Sequence, residues 1–256
     1  MRDEELIISN MRKMYDVLYS HEKSESLRDI WREVYGDDYP NEVNHDSAIT
    51  WTDLRKVVKY FKIGPDKTFI DVGCGRGGPG LWIAREIGAK YMGFDLSESA
   101  VEVATKRAIE FGIKDKASFQ VGNIYKTNFP DNYFDGALSI DALSFIPNQL
   151  KALYEVARII HSDALFIFTS FEKKNPSHGK NYDSLLHEVG FEVIIYEETP
   201  DWNRRQGEVY QKVLESKKIL VKDMEKEVAS LWIMEAKGFL PRLNDIKRIF
   251  ALAKKL

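Results

Sequence analysis

The chain has 256 residues, 44% hydrophobic and 30% charged, with 37 Lys and Arg against 40 Asp and Glu and a formal net charge of −3. That length supports one sizeable core with decorations, and an acidic balance without a long basic run disfavours a nucleic-acid partner. A single cysteine, Cys74, excludes an intramolecular disulfide; with no apolar run near the ~20 residues that span a bilayer, and an acidic start unlike a signal peptide, the expected location is the cytoplasm, away from membranes.

Residues 1–63 read as a helical cap. Leu6, Ile7, Met11, Met14, Tyr15 and Leu18 recur at helical spacing, and Leu27, Ile30, Trp31, Val34 and Tyr35 form a second stripe. Thr50-x-x-Asp53, ahead of Leu54, Val57, Val58 and Phe61, has the form of a capping box. Gly64-Pro65 breaks the chain. From 64 to 198, strands expected at 68–72, 91–95, 117–121, 134–140, 164–170 and 191–197 alternate with helices at 79–87, 98–111, 148–159 and 182–189. Ser97 can cap the second of these helices, and Gly112 and Gly190 terminate two of them. Strict alternation predicts an α/β fold, a doubly wound and mostly parallel sheet with helices on both faces. Residues 203–237 are charged and helix-prone around a broken apolar stripe, and Arg248-Ile-Phe-Ala-Leu-Ala-Lys is a short apolar run that suits a strand or the continuation of a helix.

The first strand ends in Asp71-Val-Gly73-Cys74-Gly75-Arg-Gly, and the second ends at Asp95, followed by Leu96 and Ser97. Strand, glycine turn, helix is the opening of a nucleotide-binding βαβ unit. Asp95 sits where a carboxylate accepts hydrogen bonds from both ribose hydroxyls. Gly73, Gly75 and Gly78 also satisfy G-x-G-x-x-G, so a dinucleotide and an NAD-dependent oxidoreductase remain a rival reading. Asp71 argues against it, because a carboxylate two residues before the first glycine would repel a pyrophosphate. It would suit a ligand carrying an ammonium group and a sulfonium, such as S-adenosyl-L-methionine (SAM).

Asp71-Val-Gly-Cys-Gly-Arg-Gly followed by Gly-Phe-Asp95-Leu-Ser resembles the first two motifs of class I, Rossmann-like SAM-dependent methyltransferases. The likeness is to the small-molecule group that includes ubiquinone/menaquinone-biosynthesis-like and phosphoethanolamine or sarcosine/dimethylglycine-like enzymes. It implies a seventh, antiparallel strand at 248–256, slotted between the two before it, with 199–247 as a helical lid inserted ahead of it. It implies a small-molecule acceptor, selected by the caps, and a monomer or homodimer. Asn123 and Ile124, after strand three, match the positions that bond the adenine amino group and pack on its ring; Asn123 is equally a turn asparagine. Cys74 reads as a small residue tolerated in the turn.

Ser139-Ile-Asp141-Ala-Leu-Ser-Phe145 is similar to the Ser-x-Asp-x-x-x-His pattern of the phosphoethanolamine and sarcosine/dimethylglycine enzymes. Asp141 matches the aspartate; Phe145 stands where those enzymes carry a proton-handling histidine. Asp141 is therefore a candidate for holding the acceptor, and Ser139 for lining the cofactor. Tyr15 and Tyr19 on the first helix could close over the methionine end of SAM, Tyr19 near the reacting groups, or be core tyrosines. His178, in the loop after strand five, is a candidate general base. His161 precedes strand five and belongs to the opposite edge. The scattered histidines offer no metal site. The expected activity is methyl transfer to a small molecule through an O, N or C nucleophile; a non-catalytic SAM-binding protein is the other alternative.

Overall fold

The computed structural model describes residues 2–20, 24–44, 47–175 and 181–256. Its strands are β1 (Thr68–Val72), β2 (Lys90–Asp95), β3 (Ala117–Val121), β4 (Phe134–Ile140), β5 (Ile160–Lys173), β6 (Phe191–Glu198) and β7 (Ile246–Lys255). They form one seven-stranded sheet in the order β3-β2-β1-β4-β5-β7-β6. β1 to β5 pair in parallel, and β7 runs antiparallel between β5 and β6. Strand order reverses between β1 and β4, so their carboxyl ends open the crevice in which such sheets hold ligands.

The helices are α1 (Arg2–Tyr19), α2 (Glu25–Tyr35), α3 (Trp51–Tyr60), α4 (Gly78–Ile87), α5 (Glu98–Glu110), α6 (Gln149–Ile159), α7 (Tyr182–Glu188), α8 (Trp202–Glu215), α9 (Lys217–Asp223) and α10 (Lys226–Phe239). Local chemistry sets several of their starts. The Thr50 hydroxyl accepts from the Asp53 N–H while the Asp53 carboxylate accepts from the Thr50 N–H, a complete capping box for α3. Ser97, Asn148 and Asn181 accept main-chain N–H groups at the starts of α5, α6 and α7.

Alternate residues of each central strand face opposite sides, as the period of two requires. Phe69, Leu138 and Ile167 pack with Leu54 and Val57 of α3 and Leu81 and Ile83 of α4. Their neighbours Ile70, Ala137, Phe166 and Phe168 pack with Leu153 and Val156 of α6 and Leu185 and Leu186 of α7. Each such side chain removed from water contributes roughly 1.5–3 kcal/mol. A third core joins the two caps: Leu27 and Trp31 of α2 pack with Val209, Tyr210 and Val213 of α8 and Val228 and Trp232 of α10. Trp202 anchors this layer to the sheet, its ring 5.1 Å from that of Phe171 on β5.

One detail departs from expectation, and the helical insertion is as expected. β5 begins at Ile160, directly after α6, so His161 lies inside the strand rather than before it. Ile160 pairs with Phe134, and a register shift before Gly136 accommodates the extra residues, with Asp163 taking a positive φ of 63°. The insertion is three helices, broken at Ser216 and Met224; α8 and α9 pack on α2, and α10 folds back on α8 and α9.

Candidate functional site

The chain leaves β1 through Gly73, whose φ is 75°. A Cβ there would overlap that of Ala142, in the turn after β4, so glycine satisfies both backbone and packing. The Gly73 N–H donates to the Phe94 carbonyl at 2.8 Å, tying the turn to the end of β2. Asp95 closes the turn from the other side. Its Oδ2 accepts the Gly75 N–H at 2.8 Å and its Oδ1 the Ser97 N–H at 2.9 Å. Each oxygen keeps a further lone pair for a ligand hydroxyl. Burial raises the Asp95 pKa above the usual carboxylate value, although the Ser97 and Gly75 N–H groups oppose the shift.

Asp71 is buried beneath this turn. The Tyr91 hydroxyl donates to its Oδ2 at 3.0 Å, while its Oδ1 is buried with no hydrogen-bond partner. Gly80 makes the room, since a Cβ there would come within 2.6 Å of the Tyr91 hydroxyl. Burial pushes the Asp71 carboxyl up to about 7, the Tyr91 bond lowering it and Asp95 adding to the rise. A buried acceptor left unmade costs about 1–3 kcal/mol, a cost that a cationic donor would remove. Cys74 is also buried. Desolvation, then Asp95 and Asp71, hold its thiol well above the ordinary value, which makes it an unreactive lining group.

These residues open into a cavity of about 580 Å³. Leu96, Asn123 and Ile124 line it at the ends of β2 and β3, with Tyr15 and Tyr19 opposite on α1. The Asn123 Oδ1 accepts the Tyr125 N–H at 2.9 Å, so this asparagine shapes a turn and retains one lone pair. The rings of Tyr15 and Tyr19 stack with centroids 6.0 Å apart. Burial, then Asp95 and Glu235, raise the Tyr15 pKa, keeping its phenol protonated. Tyr19 stands over the turn, its hydroxyl 3.2 Å from where a Gly75 Cβ would lie.

Two expected lining residues face elsewhere. The Ser97 hydroxyl caps α5 by accepting the Ala100 N–H and donates to Asp16 Oδ1 at 2.6 Å, so it docks α1 instead of meeting the cavity. The Ser139 hydroxyl is fully buried in the sheet, where it donates to the Val72 carbonyl at 2.7 Å. His178 lies outside the described residues.

Asp141 does reach the cavity, but its carboxylate is engaged. It has a positive φ of 53°. Its N–H is held by the Thr169 carbonyl at 2.9 Å. Arg248 of β7, fully buried, donates from Nε to Asp141 Oδ1 at 2.9 Å and from Nη2 to Oδ2 at 3.2 Å. The Ala48 N–H also donates to Oδ2, at 3.1 Å. Nη1 of the same arginine donates to Asp53 Oδ2 at 2.9 Å and to the Thr199 hydroxyl at 3.0 Å. Burial works to lower the Arg248 pKa, but Asp141 and Asp53 outweigh it and the group is held above its ordinary value. The sequence reading missed this triad. Its signal was an arginine directly ahead of an apolar run; in the structure Arg248 shares the Asp53 Oδ2 that also caps α3. Beyond it, Phe145 lines the cavity and is 40% exposed. Among the described residues no group of three or more His, Cys, Asp or Glu is placed to hold a metal ion, and no helix is long and apolar enough to cross a membrane.

A family model for a methyltransferase domain matches residues 63–229, and the chain belongs to that family. With its sheet order and glycine turn, the fold is that of the class I, Rossmann-like SAM-dependent methyltransferases. Methyltransferase GfsG of Streptomyces halstedii is 33% identical over 159 residues, covering 54% of this chain and 57% of that protein. The chain spans about half the length of the curated relatives it matches. The [4+2]-cyclase SpnF superposes with a TM-score of 0.72 at 20% identity, over 96% of this chain and 95% of its own. Geranyl diphosphate C-methyltransferase from Streptomyces coelicolor A3(2) gives 0.69 at 15% identity, over 98% of both chains.

Proposed function

We propose that the chain binds SAM and transfers its methyl group to a small-molecule acceptor. The observation that carries this reading is Asp71, a buried carboxylate with one unpartnered oxygen beside the glycine turn. An ammonium group satisfies that oxygen and a pyrophosphate would be repelled by it, which favours SAM over a dinucleotide.

The roles follow from position. Asp71 takes the ammonium, and the spare lone pairs of Asp95 take the ribose hydroxyls. The remaining lone pair of Asn123 Oδ1 accepts from the adenine amino group, and Ile124 packs against the ring. Tyr15 and Tyr19 cover the methionine end and exclude water. SAM, when bound, supplies a methyl group already activated on a sulfonium. The protein's share of catalysis is then chiefly positioning. Asp141, its two oxygens already engaged by Arg248 and the Ala48 N–H, fixes the turn that carries Ala142 against Gly73. This supports an O, N or C nucleophile that arrives with its lone pair or carbanion character available.

A protein of this fold that binds SAM without transferring a methyl is the second reading. The engaged state of Asp141 and the likeness to a cyclase favour it. Calorimetry with SAM, S-adenosylhomocysteine (SAH) and NAD, followed by labelled-methyl transfer into a panel of small molecules, tests both. Tighter NAD than SAM binding overturns the assignment, and SAM binding without transfer to any acceptor class supports the second reading.

A further inference from the structure

Beyond the cofactor end, the cavity continues into a chamber between α1, α10 and the turn Leu143–Phe145. Its walls include Met11, Leu18, Ile146, Leu231, Trp232 and Phe239. Among the described residues no lysine lines it. The two lining arginines lie at the glycine turn and hold main-chain carbonyls: Arg76 that of Leu18, and Arg107 those of Arg76 and Val43. The acidic lining of the chamber is Glu235, with Asp71 and Asp95 at the cofactor end and Asp141 paired with Arg248, a poor setting for an anion. Four lining residues are exposed, Pro147 and three larger apolar ones, Met14 by 41%, Phe145 by 40% and Met234 by 63%. The apolar wall therefore runs out to solvent instead of ending in a polar rim. Exposed apolar side chains continuous with a concave apolar site mark a ligand groove, and flexible methionines adapt to an irregular hydrocarbon.

We infer that the acceptor is an elongated, non-anionic small molecule with a hydrocarbon body. The body lies along α1 and α10, with its nucleophilic end toward Ala142 and Gly73. This inference rests on the methyl-transfer reading of the same site.

The test uses the full chain saturated with SAH. N-phenyl-1-naphthylamine, a neutral fluorescent probe, is bound and then displaced by 1-hexanol, 1-octanol and 1-decanol, with phosphoethanolamine as the anionic comparator. Affinity should rise about four-fold per methylene, the factor that corresponds to ~0.8 kcal/mol per buried CH₂. Leu231→Glu should weaken probe and decanol binding ten-fold or more while SAH affinity by calorimetry stays within two-fold. Met234→Glu, at an exposed mouth position that cannot disturb the core, should weaken decanol more than hexanol. Three results overturn the inference: affinity independent of chain length, displacement by phosphoethanolamine below the decanol concentration, or probe binding untouched by both substitutions. If SAH binds while the alcohol series fails, only the acceptor class falls. If SAH does not bind, the methyl-transfer reading falls and takes this inference with it.

Discussion

Replacing Arg248 by Met should be among the most damaging single changes in this protein. The arginine is fully buried and donates to Asp141 after β4, Asp53 in α3 and Thr199 after β6. With the arginine in place the triad carries one positive and two negative charges; without it, two carboxylates face each other's field in a dry site. Removing one partner of a buried pair costs about 3–5 kcal/mol, mostly from the stranded charge. Asp141→Asn should cost less, because Asp53 still neutralises the guanidinium. Arg248→Met combined with Asp53→Asn and Asp141→Asn should recover most of the loss, since no buried charge remains. Urea unfolding, followed by circular dichroism and fluorescence together to check two-state behaviour, measures each step. An Arg248→Met loss below about 1 kcal/mol, or a triple variant no more stable than the single one, would refute the stranded-charge argument.

Other outcomes follow from the cofactor end. Asp71 titrates near 7 against an ordinary 3.8, so the folded state holds its proton more tightly than the unfolded chain. This group therefore lowers stability of the ligand-free protein as pH rises from about 4 to about 7, with no further loss above. An ammonium ligand needs the ionised form, so SAH affinity should climb by up to about ten-fold per pH unit until about pH 7 and then level off; a flat profile, or one unchanged in Asp71→Asn, counts against the role. Asp95→Ala should weaken SAH binding by about 1–3 kcal/mol through lost charge-assisted bonds, and calorimetry showing no change would remove it from the ribose site. Hydrogen exchange in residues 8–20 and 226–239 should slow on SAH addition more than in α6, if α1 and α10 close over the ligand; equal protection in all three would leave them as scaffold.

The helical and strand periods of this chain, its glycine turn, its capping box and its N-caps act over a few residues. For that reason the α/β alternation, most element boundaries and the grouping of Asp71, Gly73, Gly75 and Asp95 were legible in the amino-acid order. Backbone propensity and side-chain alternation were enough to place them at the carboxyl edge of a sheet. Where a side chain points once several elements meet was not legible, because it depends on groups far away in sequence. Ser97 turns to Asp16 on α1, and Ser139 to the Val72 carbonyl, because those acceptors are nearer than the cavity. Asp141 loses its freedom to Arg248, 107 positions further on. The apolar chamber likewise exists only where α1 and α10 converge, each having no reason in its own sequence to face the other. Local order thus determined the cofactor end, and tertiary packing alone decided which carboxylate keeps an unpartnered oxygen, which one is neutralised and what the rest of the cavity can hold.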